Sequence, residues 1–156
     1  MSITKELELD RPMSDIRHEL VLNVVRTANL LALKAGTLFR QYDLTEAQFN
    51  VLFALKYKER DWTQSDLGKR LVVTRASITS VLDKLESKGL VRRSAVTGNR
   101  RIYHVCLTEK GLSLVNEVEP TYRENIYKVC RDLDDGLCHQ LIGYLESMRQ
   151  EIEGLG

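Results

Sequence analysis

Apolar residues recur at spacings of three and four along most of the chain, a pattern typical of amphipathic helices. After a polar, loose segment from Met1 to Met13, the first such run begins at Ser14 and ends near Gln41–Asp43. Its broad apolar stripe requires cover from more than one neighbour. The stripe contains Ile16, Leu20, Val24, Thr27, Leu31 and Leu38, and is widened by Val21, Val25 and Leu30.

A second helix is predicted to open at Thr45, because Gln48 stands three residues later in the capping-box spacing. Its apolar face holds Phe49, Leu52, Phe53 and Leu55. The aromatic residues near it have two interpretations: they pack in the core, or they line a pocket for an aromatic ligand. These residues are Phe39, Tyr42, Phe49 and Phe53. An exposed polar link from Lys58 to Asp61 follows.

The segment from Thr63 to Gly111 predicts two short helices and a pair of strands. Thr63 and Asp66 form a capping-box spacing with Asp in place of the usual Glu or Gln. Thr74 caps a second helix that ends at Gly89, a residue suited to a left-handed helix terminus. The apolar face of this second helix is formed by Ile78, Val81, Leu82 and Leu85.

The opposite face of the second helix is small, hydroxylated or cationic, as a helix that enters a DNA groove requires. Two helices joined by a tight turn, with the second so equipped, indicate a helix-turn-helix. Strands near Leu90–Arg93 and Ile102–Leu107 then bracket a mobile basic loop, Ser94–Arg101. Beside a helix-turn-helix, this loop predicts a wing that follows the DNA backbone into a minor groove.

Two further helices complete the chain. Thr108 caps the first, which contains Pro120 and is expected to bend there. Asp134, Asp135 and Gly136 form the turn to the last helix, in which apolar residues follow a narrow heptad seam. The seam consists of Cys138, Leu141, Leu145, Met148 and Ile152. The terminal helices carry more apolar surface than a DNA-binding core needs, which favours a dimerisation bundle.

Charge supports the interpretation of the central segment. The segment Thr63–Arg101 has nine Lys and Arg against three Asp and Glu, or net +6, while the whole chain has only +1. A phosphate-binding surface requires such a concentration of positive charge. A solvated basic face on an ordinary helix pair is the alternative interpretation.

The remaining features exclude other classes. No apolar run approaches the roughly 20 residues that would span a bilayer, and the N-terminus has no signal-peptide pattern, so we expect a cytoplasmic protein. Gly-rich phosphate loops, nucleophile motifs and acid–base clusters are absent from the sequence, so we expect no enzyme. Three scattered cysteines fit a reducing compartment, and we expect no cofactor or metal.

The segments VTRASITSVLDKLESKGLVRR and NRRIYHVCLTEKG resemble the MarR family of winged-helix transcriptional regulators. The wing motif of that family reads D-R-R, five residues, then L-T-x-x-G. Asn99-Arg100-Arg101 is followed here by five residues and then by Leu107 to Gly111, with Asn99 in the position of the Asp. The order of the outer helices agrees, so the resemblance covers nearly the whole chain.

The resemblance implies a homodimer that binds palindromic double-stranded DNA, with half-sites roughly 34–36 Å apart. It also implies a repressor released by a small-molecule effector, which in that family is often aromatic. Among the DNA contacts, we expect Arg75 to read a guanine, Lys84 to hold phosphate, Arg100 to form the wing tip and Arg101 to anchor the wing. The expected DNA-binding set is Thr63, Gln64, Ser65, Thr74, Arg75, Ala76, Ser77, Thr79, Ser80, Lys84, Asn99, Arg100 and Arg101.

The fold class is therefore mainly α with a small β-hairpin wing: a winged helix-turn-helix flanked by a helical dimerisation bundle. We assign residues 1–44 to an N-terminal dimerisation helix, 45–107 to the DNA-binding domain and 108–156 to C-terminal dimerisation helices of one compact protomer. The expected dimer contacts are Ile16, Leu20, Leu141, Leu145, Met148 and Ile152.

Several alternatives stay open. A redox-responsive regulator would use Cys130 and Cys138, which straddle the turn between the last two helices. A winged-helix adaptor would bind proteins rather than DNA. Arg92 and Arg93 are either DNA contacts or solvated strand residues, and His104 is expected to face solvent.

Overall fold

The computed structural model describes residues 3–8, 10–11, 13–59, 61–71, 75–96 and 99–155, and does not describe the side chains of 75–77, 96 and 99–102. Helices dominate, and a small antiparallel sheet is the only β-structure in this part of the chain, which confirms the expected fold class. The chain divides into two compact units, Met1–Val118 and Glu119–Gly156.

The first unit begins with a short helix, α1 (Ile3–Glu6), where a loose segment was predicted. The prediction was wrong because Ile3 is buried and because Glu6 forms an ion pair with Arg26 of the next helix, at 3.4 Å. Neither interaction can be inferred from a four-residue pattern. Helix α2 (Ile16–Arg40) begins two residues after the predicted start at Ser14 and is capped by Asp15, whose carboxylate accepts a hydrogen bond from the Arg17 amide.

Helix α3 (Glu46–Lys56) begins with the predicted capping box, in which Thr45 and Gln48 bond reciprocally. Phe49 is fully buried and stacks on Phe39 with 4.2 Å between ring centroids, so both belong to the core. Lys58 departs from the predicted exposed link. It is mostly buried, and its ammonium group donates to the Val105 carbonyl at 3.1 Å.

A three-stranded antiparallel sheet lies beside the helix-turn-helix, and the last strand of the chain lies between the other two. Strand β1 (Trp62–Thr63) precedes α4 (Gln64–Arg70) and α5 (Arg75–Ser87), and the hairpin is formed by β2 (Val91–Val96) and β3 (Asn99–Leu107). The two-residue β1 was not predicted, because it is defined by its pairing with β3 and not by its own pattern.

The hairpin strands are longer than predicted and include most of the segment Ser94–Arg101. Pairing of Ala95 with Tyr103 and of Val96 with Asn99 extends the ladder past a register shift. Thr97 and Gly98 lie outside the described residues. The expected basic loop is therefore a basic end of a β-ribbon, because β2 and β3 satisfy each other's backbone groups well beyond the apolar part of the hairpin.

Helix α6 (Glu109–Val129) crosses the division between the units and contains Pro120 in its interior, as predicted. The second unit ends with α7 (Asp135–Glu153), capped by Asp134, whose carboxylate accepts from the Leu137 amide at 2.8 Å. None of the residues of α7 is buried. Within the described residues, no helix combines the length and the apolar character that a membrane crossing demands.

Candidate nucleic-acid interface

The candidate interface centres on α5, whose apolar face closes the core of the first unit. Ile78, Val81, Leu82 and Leu85 are all buried, as predicted from their spacing. Burial of this face directs Thr79, Ser80 and Lys84 outward, and all three are exposed. Their residue types suit contacts with base edges and phosphates. Arg75, Ala76 and Ser77 lie in the first turn of α5, and Thr74 lies outside the described residues.

Two polar contacts stabilise the N-terminal side of the helix-turn-helix: one caps α4 and the other joins α4 to α5. Thr63 and Asp66 form the predicted capping box, with the Thr63 amide 2.9 Å from a carboxylate oxygen. The Gln64 amide group donates to the Thr79 hydroxyl at 2.6 Å, which links α4 to α5. Thr63, Gln64 and Thr79 therefore have structural partners in addition to their predicted role at the DNA, while Ser65 is exposed.

The end of α5 is fixed by a Schellman motif at Gly89, whose φ of 68° requires a residue that tolerates the left-handed region. The Leu90 amide donates to the Leu85 carbonyl, and the Gly89 amide donates to the Glu86 carbonyl, both at 2.9 Å. This motif ends the helix and turns the chain directly into β2, as the sequence predicted.

The L-T-x-x-G motif joins the start of α6 to that turn. The Thr108 hydroxyl donates to the Gly89 carbonyl at 2.7 Å and accepts from the Gly111 amide at 3.0 Å. A Cβ atom on Gly111 would lie 2.0 Å from the Leu90 carbonyl oxygen, so only glycine allows this approach. The motif therefore has a structural role: it anchors the wing strands and the start of α6 behind the candidate DNA-binding helix.

Arg93 resolves one of the open alternatives. Its guanidinium group lies 2.7 Å from an Asp83 carboxylate oxygen and 3.3 Å from Glu86, both on α5. It thus ties the base of the wing to the helix and is not a solvated strand residue. The neighbouring Arg92 is exposed. The two were indistinguishable in the sequence, because alternation along a strand does not say which face meets α5.

Asn99, Arg100 and Arg101 open β3 at the basic end of the ribbon. Their backbone position agrees with a wing, and their side chains are outside the described part. His104 is half-buried and not solvent-facing as expected, because its position in β3 is flanked by Thr63 of β1 and Ser94 of β2.

The predicted dimer contacts belong to α2 and α7 and not to the helix-turn-helix. Ile16, Leu20, Leu141, Leu145 and Ile152 are between 38% and 71% exposed in the protomer, and Met148 is half-buried. Cys130 and Cys138 are half-buried free thiols. Their proposed redox role stays a prediction.

Known proteins resemble this chain in sequence and in fold. Residues 44–103 match the model of the MarR family. PecS of Dickeya dadantii, an HTH-type transcriptional regulator, is 29% identical over 126 residues, which cover 79% of this chain and 76% of PecS.

Two solved structures have the same fold. AbsC of Streptomyces coelicolor, a MarR family transcriptional regulator, superposes with a TM-score of 0.82 at 21% identity, over 92% of this chain and 99% of AbsC. The DNA complex of S. aureus MepR superposes with a TM-score of 0.77 at 23% identity, over 84% and 96% of the two chains. The central segment of the chain thus matches the MarR family, and the fold is the winged-helix fold of the MarR proteins that it resembles.

Proposed function

We propose that the protein is a sequence-specific repressor that binds palindromic double-stranded DNA as a homodimer and is released by a small-molecule effector. The observation that carries the proposal is the exposed polar face of α5, whose apolar face is locked into the core. A helix fixed on one side and polar on the other can enter a major groove without rearrangement.

The positive charge of the central segment supports binding to a polyanion. Neutralisation of DNA phosphates releases counterions, so the affinity should fall steeply as salt rises. The net charge of +6 already counts the three acidic residues of this segment, of which Asp66 caps α4 and both Asp83 and Glu86 pair with Arg93.

The exposed apolar residues of α2 and α7 support the homodimer. Leu20, Leu141 and Leu145 would remain in water in an isolated protomer, and their burial against a second copy gives about 25 cal/mol per Å² of apolar surface. A twofold dimer presents two copies of α5, so its operator should be palindromic. Repression and release by an effector are carried over from the habit of the family.

The test is binding of the purified protein to duplex DNA from the region upstream of its own gene, measured by fluorescence anisotropy across a salt series. Random duplex of the same length is the control. We expect tight, specific and steeply salt-dependent binding. Binding no tighter than to the random duplex, at every salt concentration, would contradict a role as regulator of its own gene.

Two variants separate base reading from backbone contact. Arg75→Ala should weaken operator binding and relax the sequence preference, since a bidentate contact to guanine gives about 1–3 kcal/mol of discrimination. Arg100→Ala should weaken binding to all DNA and reduce the salt slope by about 0.9 for each phosphate that the variant no longer neutralises. An unchanged sequence preference would remove Arg75 from the reading set, and an unchanged slope would remove Arg100 from the wing contact.

A further inference from the structure

Helix α5 has two different flanks on either side of its exposed face. On the wing flank, Arg93 forms ion pairs with both Asp83 and Glu86. On the opposite flank, Lys84 and Lys88 follow each other one helical turn apart and face the junction between α2 and α3. The wing flank is therefore closed by ion pairs with a net charge of −1, whereas the other flank presents positive charge.

Between this second flank and the α2–α3 junction lies a cleft of about 340 Å³. We call it the basic cleft. Its polar lining includes Arg40, Asp43, Thr45, Lys84, Ser87 and Lys88. Three cations against one carboxylate leave a net charge of +2, while the Ser87 hydroxyl already donates to the Lys84 carbonyl at 2.8 Å.

Hydrogen bonds and an ion pair hold two of the cations in place on the walls of the cleft. The Lys88 ammonium lies 2.9 Å from an Asp43 carboxylate oxygen, and it also donates to the Asp43 backbone carbonyl. Arg40 donates to the Thr37 hydroxyl at 3.0 Å. Asp43 itself adopts a φ of 53°, in the left-handed region that Asp and Asn tolerate better than most residues.

A DNA backbone phosphate fits this arrangement. An α-helix with its side chains is about 10–12 Å wide and the major groove is about 12 Å wide, so a helix in the groove has phosphates along both flanks. The wing follows one flank of α5. The basic cleft lies along the other flank, where the second wall of phosphates would pass.

Resting on the proposed DNA binding, we infer that the basic cleft is a seat for a backbone phosphate of the operator, and that Arg40 and Lys88 join Lys84 in holding it. A free small anion gains little from cations that remain in water. A phosphate delivered by the docking of α5 has no separate association cost, because the rest of the interface already holds the DNA.

The test is the salt dependence of binding for Arg40→Gln and Lys88→Gln, on both the operator and random duplex. Each variant should reduce the steepness of log K against log salt by about 0.9 for each phosphate it no longer neutralises. If the variant and the unaltered protein bind equally at 1 M salt, this change equals about eightfold weaker binding of the variant at 0.1 M salt. The preference for operator over random DNA should stay unchanged, because phosphate contacts carry no sequence information.

Two further variants control the experiment. Lys128→Gln removes the same charge from α6 in the second unit, and it should leave the slope unchanged. Asp43→Asn keeps the shape of the side chain and its tolerance of positive φ, but removes the carboxylate that lines the cleft. It should therefore strengthen binding to both duplexes.

The outcomes separate this inference from the proposed function. If the unaltered protein binds no duplex, the proposed function fails. If the protein binds with a steep slope that Arg40→Gln and Lys88→Gln both leave unchanged, only the phosphate seat is refuted. Added benzoate or inorganic phosphate could also weaken the DNA binding of the unaltered protein. If Arg40→Gln and Lys88→Gln abolish that weakening but keep the salt slope, the cleft binds a small anion instead, which also overturns the inference.

Discussion

Helices α5 and α7 have similar patterns of apolar residues but opposite burial. In α5, Leu82 and Leu85 are fully buried, whereas in α7 the corresponding seam residues Leu141 and Leu145 are 45% and 38% exposed. The pattern predicts that a face will be apolar, and the rest of the fold decides what covers it. The cover of α5 is supplied by its own protomer, and the cover of α7 has to come from elsewhere. We propose that a second copy supplies it.

The largest expected effect comes from a charge placed on the α7 seam. Leu145→Glu would bury a carboxylate in the proposed dimer interface, so we expect monomers in sedimentation equilibrium. Because the two half-sites would no longer be linked, operator affinity should fall by about 100-fold or more. Gln150→Glu adds the same charge on the opposite face of α7 and should leave the dimer intact. A Leu145→Glu protein that remains dimeric would place the interface elsewhere.

The next effect compares two glycines, one in each compact unit. Gly111→Ala would place a Cβ atom against the Leu90 carbonyl, so the backbone must shift, and we expect a loss of about 1–3 kcal/mol of unfolding free energy. Gly143→Ala in α7 meets no atom within 4 Å and should stabilise by about 0.4–1 kcal/mol. Chemical denaturation measures both. Stabilisation by Gly111→Ala as well as by Gly143→Ala would mean that the packing behind α5 is looser than the structure shows.

The first unit shows how far the sequence could predict the fold. Local signals were reliable: the capping boxes at Thr45 and Thr63 and the helix stop at Gly89 involve residues within a few positions of each other. The strand β1 and the short helix α1 were missed because each is defined by a distant partner, β3 in one case and Arg26 in the other. A pattern within the segment does not contain that partner.

The candidate site divides in the same way. The exposed face of α5 was predictable, since it is the complement of an apolar face within one helix. The basic cleft was not, because Arg40 and Lys88 are far apart in sequence and meet only when α2, α3 and α5 pack. The role of Arg93 also depended on which strand face meets α5, and tertiary contact alone decides that.

A smaller effect separates the adjacent arginines of β2. Arg93→Met would leave Asp83 and Glu86 without their shared cation, and the Arg93 side chain is only 19% exposed. Since Asp83 and Glu86 are well exposed and an ion pair at the surface contributes about 0–1 kcal/mol, we expect a loss of about 1 kcal/mol in denaturant unfolding. Arg92→Met removes an exposed residue and should change stability by less than about 0.5 kcal/mol. Equal losses would show that Arg93 is not the clamp between wing and helix.

The smallest effect lies in the second unit, at the surface pair formed by Glu124 and Lys128. A hydrogen bond from Lys128, together with its positive charge, holds the pKa of the Glu124 carboxyl below its ordinary value. A lowered pKa stabilises the folded state at pH values above the unfolded-state pKa, and the contribution is lost as the pH falls through the folded-state value. Both side chains are well exposed, so salt should screen the pair.

NMR titration of the Glu124 carboxyl should show its pKa rise in Lys128→Gln, and also in the unaltered protein at high salt. The same pKa in the variant and the unaltered protein at low salt would mean that the pair does not form in solution.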